Sequence, residues 1–127
     1  MVTNQPDVAR GKTDLDKVEE INQSLRAQLP LDDIFTCYHD DSDHCDCRKP
    51  KPGLLFEATR KHGIDLHNSY MIGDRWRDID AGANVGCKTV LIDLGYQERE
   101  PNSAPDYRAR SLPEAVDCIL NNGAENV

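Results

Sequence analysis

Apolar residues recur at intervals of three and four from Leu15 through Val18, Ile21 and Leu25 to Leu29, which predicts an amphipathic helix over 13–29 with those side chains facing inward. Thr13 is placed to cap it, Asp14 and Asp16 suit its first turn, and Pro30 stops it. Ahead of this helix, Met1 to Asn4 reads as an apolar strand residue or two running into a polar turn, with Asp7 in that turn. Behind it, the β-branched and aromatic residues of DIFTCY predict a short strand over 33–38. Pro52-Gly53 opens a second helix that carries Leu54, Leu55, Ala58 and Thr59 and fades at His62-Gly63. SYMIGD supplies a strand ending on a Gly-Asp pair, and 75–86 reads as a short helix with Trp76, Ile79 and Ala83 inward. KTVLIDLG, over 88–95, is a nearly unbroken apolar strand of the kind buried on both faces. The polar stretch 96–105 reads as surface loop. A minor strand over 106–110 follows, then a closing helix with Leu112, Ala115, Val116, Ile119 and Leu120 on its apolar face, and a frayed tail from Asn121.

Strands alternating with helices predict an α/β fold with a doubly wound, mostly parallel sheet. The 127 residues suit a single domain. Ligands of such sheets sit at the carboxyl ends of strands. Thr3-Asn4-Gln5, the segment after Tyr38 and Gly73-Asp74 all fall there.

Composition narrows the partners. A net charge of −8 without a basic tract argues against nucleic acid, whose backbone contacts need clustered cations. No run of 18 apolar residues is present and the opening lacks a signal-peptide pattern, so the expected setting is the cytoplasm, without a membrane span. Five cysteines, an odd count, fit a reducing compartment.

Three of those cysteines and two of the four histidines lie between Cys37 and Cys47. Cys37 with His39, and Cys45 with Cys47, form two pairs that each straddle one residue, and an extended spacer points both side chains of a pair the same way. Three sulfurs and one imidazole make a closed tetrahedral set for structural zinc. His44 competes with His39, but its place beside Cys45 requires a sharper turn. A disulfide is the other use of two such cysteines. Cys87 and Cys118, in apolar surroundings, read as core residues. Asp40, Asp41, Asp43 and Asp46 are expected to face water, with one available to accept a bond from the ligand histidine.

Thr3-Asn4-Gln5, Arg48-Lys49-Pro50-Lys51-Pro52-Gly53 and Gly73-Asp74-Arg75-Trp76-Arg77-Asp78, taken in order, resemble the haloacid dehalogenase-like phosphatases. Within them the chain is similar to the D-glycero-D-manno-heptose 1,7-bisphosphate phosphatases and the histidinol-phosphate phosphatases, whose loop at 37–47 holds a structural zinc. The resemblance implies a phosphatase acting on a phosphorylated small molecule, most closely the 7-phosphate of the heptose bisphosphate, with histidinol phosphate as the alternative. It implies that Thr3 donates to the transferring phosphoryl group and that Asn4 and Arg48 contact substrate. It further implies that Lys49 neutralises phosphoryl oxygens and that Asp74, with Asp78 as a second acid of the same region, binds Mg²⁺. Phosphoryl transfer is mostly positioning and charge neutralisation, which these residue types supply. The bland reading of the same helix pairs Arg75 and Arg77 with Asp78 and Asp80 on its surface.

The family's nucleophile motif, Asp-x-Asp-Gly-Thr after a first strand, is not in these residues. Asp7, Asp14, Asp16 and Asp93 do not follow a strand that could stand in for it. The expectation is therefore the carboxyl-terminal two-thirds of a phosphatase domain lacking its first strand, inactive alone, with unpaired sheet edges open to self-association or complementation. The reading from another class is a non-catalytic, zinc-stabilised binding or assembly module.

Overall fold

Every strand pairing is parallel, and each strand is delivered by a helix or a turn whose cause lies in nearby residues. The computed structural model describes residues 1–125. They divide into two compact units, Met1–Gly63 and a second from Ile64 onward.

In the first unit, β1 (Val2–Asn4) pairs with β2 (Phe35–Cys37), Thr3 lying opposite Thr36 and Asn4 opposite Cys37. Between them run α1 (Pro6–Ala9) and α2 (Leu15–Gln28). α1 was expected only as a turn; Pro6 presets the backbone of its first position, which suffices for one helical turn. α2 forms where the spacing predicts, but its inward stripe differs. Val18 and Asn22 are buried and Leu25 is half-buried, whereas Leu15, Ile21 and Leu29 are exposed. The reason is a polar contact: Asn22 Nδ2 donates to Thr36 Oγ1 on β2 at 3.2 Å, which turns the 18–22–25 row toward the strand. α3 (Gly53–His62) follows the expected boundaries and ends on Gly63, whose positive φ of 63° suits a glycine C-cap. Its Leu54 and Ala58 pack with Phe35 and Cys37 in the core of this unit.

Asp33 ties three elements together. Its carboxylate accepts from Lys61 and His62 at the end of α3, at 2.7 and 2.8 Å, and lies 3.6 Å from Arg26 of α2. Hydrogen bonds from Lys61 and His62 hold its carboxyl well below the ordinary range. A carboxylate with a depressed folded pKa stabilises above its unfolded pKa and loses that contribution as pH falls through the folded one. Asp33→Asn is thus expected to lower the thermal midpoint at neutral pH, the difference from the unsubstituted chain shrinking as acid protonates Asp33. A gap between the two melting curves that stays constant down to strong acid defeats this account.

In the second unit, β3 (Tyr70–Gly73), β4 (Lys88–Ile92) and β5 (Tyr107–Ala109) form one sheet in the order β3-β4-β5. α4 (Trp76–Asn84) connects β3 to β4, and α5 (Leu112–Glu125) follows β5. Val90, Ala109 and Ala115 form the buried centre, with Ile72, Ile92 and Ile119 packed against it. Only part of the apolar face expected for α5 is inward: Ala115 is buried and Ile119 half-buried, while Leu112, Val116 and Leu120 are exposed. The helix also continues through 121–125 where a frayed tail was expected, since no proline interrupts it and its one late glycine costs only about 1 kcal/mol; Asn126 and Val127 lie outside the described residues.

The chain thus has the α/β architecture with parallel strands that its alternation predicts, in a two-stranded and a three-stranded sheet. Among the described residues, no helix is long and apolar enough to cross a membrane.

Candidate functional site

Cys37 ends β2 fully buried, and from there the chain makes a loop that returns to the same sulfur. Asp40 caps a turn of 3-10 helix at Asp41–Asp43, accepting from Asp41 N at 2.8 Å while Asp43 Oδ2 accepts from Asp40 N. His44 closes this turn in the left-handed region, at φ 50°. That reversal brings Cys45 and Cys47 back toward Cys37. One ligand atom each of Cys37, His39, Cys45 and Cys47 then lies within 4.8 Å of the others. The individual separations are 3.7 Å from Cys37 to Cys45, 3.6 Å from Cys37 to His39 Nδ1, 3.3 Å from His39 Nδ1 to Cys47 and 2.9 Å from Cys47 to Cys37.

Most of these are the edges of a tetrahedron drawn with bonds of about 2.0–2.3 Å, the lengths zinc uses. All exceed a disulfide bond, and all five cysteines are free. The four residues therefore fit the ion, and His39 rather than His44 belongs to the cluster. Cys87 and Cys118, expected as core residues, are only half-buried, and the fully buried cysteine is Cys37. Burial pushes the Cys37 thiol up and, with the neighbouring sulfurs, the Cys47 thiol further up. Against its own burial, Cys45 is drawn down to about 7 by backbone N–H groups of Arg48 and Cys47. Without a cation, three thiolates in one cluster cannot coexist.

Asp41, Asp43 and Asp46 are exposed, as the sequence predicts, and Asp40 is half-buried. Asp40 accepts both prongs of the Arg10 guanidinium, at 2.9 and 2.7 Å, which holds its carboxyl below the ordinary range. Asp41 accepts from Arg48 Nε at 2.7 Å. Lys51 Nζ donates to the carbonyl of Cys45 at 2.6 Å, and Gly53 N to that of Asp46 at 2.9 Å. Gly53 is required here, because a Cβ would lie 2.3 Å from the Asp46 carbonyl oxygen.

This frame sets Arg48 and Lys49, both about nine-tenths buried, beside the end of β1. Asn4 grips the Lys49 backbone twice: its Oδ1 accepts from Lys49 N at 3.0 Å, and its Nδ2 donates to Lys49 O at 3.2 Å. Lys49 Nζ reaches the carbonyl of Val2 at 3.1 Å. Thr3 Oγ1 accepts from Gln5 Nε2 at 3.3 Å. Arg48 Nη1 is different, being buried with no hydrogen-bond partner. A buried guanidinium nitrogen left unpaired is costly, and an anionic oxygen is the partner that suits it.

In the second unit, Asp74 follows β3 directly. Asp78, at 7% exposure, accepts from Arg75 N at 3.2 Å and so serves the start of α4. Gly73 makes room for it, since a Cβ there would lie 2.3 Å from the Asp78 carboxylate. Where the bland reading pairs Arg75 and Arg77 with Asp78 and Asp80, Arg75 pairs with Glu98, Arg77 lies over the Trp76 ring, and Asp80 accepts from Ser103 N. Asp74 Oδ2 instead accepts from the Tyr96 hydroxyl at 3.2 Å. Asp74 and Tyr96 share a shallow cleft with Trp76, Asp93, Arg99 and Arg108. The Asn4 grip, the Arg10 fork and Tyr96 lay beyond sequence reasoning, because they join residues 22 to 45 apart with no shared periodicity.

The HAD-hydrolase-like family profile matches residues 46–115, more than half of the chain. The D-glycero-beta-D-manno-heptose-1,7-bisphosphate 7-phosphatase of Helicobacter pylori is 34% identical over 125 residues, covering 94% of this chain and 71% of that protein. The enzyme of the same name from Yersinia pestis is 37% identical over 134 residues, again with 94% and 71% covered. Among solved structures, the D,D-heptose 1,7-bisphosphate phosphatase from B. bronchiseptica, complexed with magnesium and phosphate, superposes with a TM-score of 0.80 at 29% identity, over 95% of this chain and 73% of that one.

Proposed function

The chain belongs to the HAD-hydrolase-like family, and from that premise we propose that it serves hydrolysis of a sugar-phosphate monoester, D-glycero-D-manno-heptose 1,7-bisphosphate at its 7-phosphate. The observation that carries the proposal is Arg48 Nη1, a buried cationic donor without a partner, next to Lys49. The names of the relatives, matched across nearly the whole chain, support the substrate.

In this reading Arg48 binds a substrate oxygen, and Lys49, its backbone fixed by Asn4, neutralises phosphoryl oxygens. Thr3 offers a hydroxyl to the same group. Asn4, read from sequence as a substrate contact, acts on substrate through Lys49. Asp74 is the carboxylate for Mg²⁺, a hard cation that takes oxygen ligands and supplies charge neutralisation to phosphate when bound. Asp78 stands behind it as an acid of the helix start. The cluster of Cys37, His39, Cys45 and Cys47 holds zinc as a structural ion, since four protein ligands leave no open position. Five free cysteines and a thiolate metal site suit the reducing cytoplasm.

The test is binding. By calorimetry, the chain is expected to take up heptose 1,7-bisphosphate in preference to histidinol phosphate, and Arg48→Ala to weaken that binding about 10–100-fold, the worth of a charge-assisted hydrogen bond. Preference for histidinol phosphate moves the substrate assignment. Affinity unchanged in Arg48→Ala removes the observation on which the proposal stands.

A further inference from the structure

The loop after β4 does more than return the chain to β5. Over 93–106 it is fastened to β5, where Asp93 N donates to Ala109 O at 2.8 Å and Arg108 donates to Glu100 at 2.9 Å, and also to β4 and to the β3–α4 side of its own unit. Tyr96 donates to Asp74 Oδ2 at 3.2 Å. The Arg75 guanidinium stacks on the Tyr96 ring, 3.7 Å from its centroid, and pairs with Glu98. Arg99 lies over the Trp76 ring at 4.1 Å. Ser103 N donates to Asp80, and Asp106 accepts from Thr89 N at 2.7 Å. A long polar loop is by default mobile; this one is strapped across the end of β3.

What the strap delivers at Asp74 is one hydroxyl. Tyr96 is the only group that donates to the Asp74 carboxylate among the described residues, and it takes one oxygen. A carboxylate on a turn is free to rotate about its last torsion. With one oxygen held, the other is fixed in direction. We propose that Tyr96 is a positioning residue for a divalent cation at Asp74: its hydroxyl orients the carboxylate, and the Arg75–Glu98 pair holds the ring in place. This rests on the cation reading of Asp74 given above. The hydroxyl is to Asp74 what hydrogen-bonded partners are to metal ligands generally, groups whose loss costs 10–100-fold in metal affinity. Arg75 has a role here that helix-surface pairing does not provide, since its guanidinium faces the tyrosine with one face and Glu98 with its edge.

The experiment titrates the zinc-loaded chain with Mn²⁺ as the oxygen-seeking probe ion, counting free ion by its paramagnetic resonance signal and following fluorescence of Trp76, the sole tryptophan, which lines the same cleft as Asp74. Tyr96→Phe keeps the ring under Arg75 and removes only the hydroxyl. It is expected to weaken Mn²⁺ binding about tenfold with the thermal midpoint and zinc content unchanged, while Asp74→Asn abolishes that binding. Glu98→Gln is expected to weaken it about threefold and to add nothing to Tyr96→Phe, because both act through the same hydroxyl. Mn²⁺ affinity unchanged in Tyr96→Phe but lost in Asp74→Asn overturns the positioning role and leaves the cation reading standing. Fully additive effects of Tyr96→Phe and Glu98→Gln overturn the coupling of strap to hydroxyl. Affinity unchanged in Asp74→Asn, or absent in the unsubstituted chain, overturns the cation reading and this inference with it.

Discussion

Stripping zinc with a chelator, or replacing Cys47 with serine, is expected to unfold residues 1–63 and leave the second unit folded. The core of the first unit is small. Phe35, Cys37, Leu54 and Ala58 form its centre, and two of the partly buried residues packed on it are Cys45 and Cys47 themselves. The ligands are thus part of the core, so losing the ion removes both coordination and packing. Apparent zinc-binding free energies in small domains run to about 10–16 kcal/mol at neutral pH, comparable with or above the roughly 5–15 kcal/mol that holds a whole domain folded. Without the ion, burial pushes the Cys37 thiol up, and burial with the neighbouring sulfurs pushes the Cys47 thiol up, so these two become protonated and the cluster loses its reason to close. Zinc affinity is therefore expected to fall as pH is lowered, because thiols must release protons to bind. Hydrogen exchange measures the outcome locally. Amides of β1, β2 and the 37–53 loop are expected to lose protection while those of β3, β4 and β5 keep theirs. Protection unchanged in the first unit after zinc removal would falsify the structural role of the ion.

How much of this was legible in the sequence depends on the range of the interaction. α3 and α4 follow from local periodicity and stop signals and lie where the pattern puts them, while β4 starts at Lys88 as expected but ends at Ile92, short of the expected Gly95. The spacing of Cys37, His39, Cys45 and Cys47 implied four ligand atoms that the fold does bring together. Preference for His39 over His44 followed from chain direction, and the left-handed backbone at His44 is the turn that makes it so. The face of α2 was misread because periodicity counts apolar residues, whereas a buried polar residue, Asn22, sets the helix's rotation. Of the acids of the metal loop, Asp41, Asp43 and Asp46 are exposed as expected, but Arg10, thirty residues away, gives no local sign that it will clamp Asp40. Tyr96 was invisible for the same reason, standing in a stretch whose polarity describes its exposure and not its attachments.

Phosphate release from heptose 1,7-bisphosphate by these 127 residues alone is expected not to rise above background, even with Mg²⁺ and zinc present. Neutralising groups accelerate transfer only when a nucleophile is aligned with phosphorus, and no Asp-x-Asp-Gly-Thr motif occurs among these residues. Asp93 follows β4 directly, but it faces Gly95 N and Arg108 and comes after a strand flanked on both sides. Turnover is expected once an apolar strand bearing that motif is supplied, either fused to the chain or added as a separate segment. In that assembly Lys49→Ala is expected to lower turnover about 10²–10³-fold or more, the range for removing one preorganised charge-stabilising donor, with zinc content unchanged. Asn4→Ala leaves the lysine in place but frees its backbone, and is expected to lower turnover by a smaller factor with little change in substrate affinity. The two variants separate two ideas. A large loss in Lys49→Ala with none in Asn4→Ala keeps the charge and discards the grip as a functional device. Turnover by the 127 residues alone points to a nucleophile within them, and the carboxylates of Asp74 and Asp93 are then the first to replace.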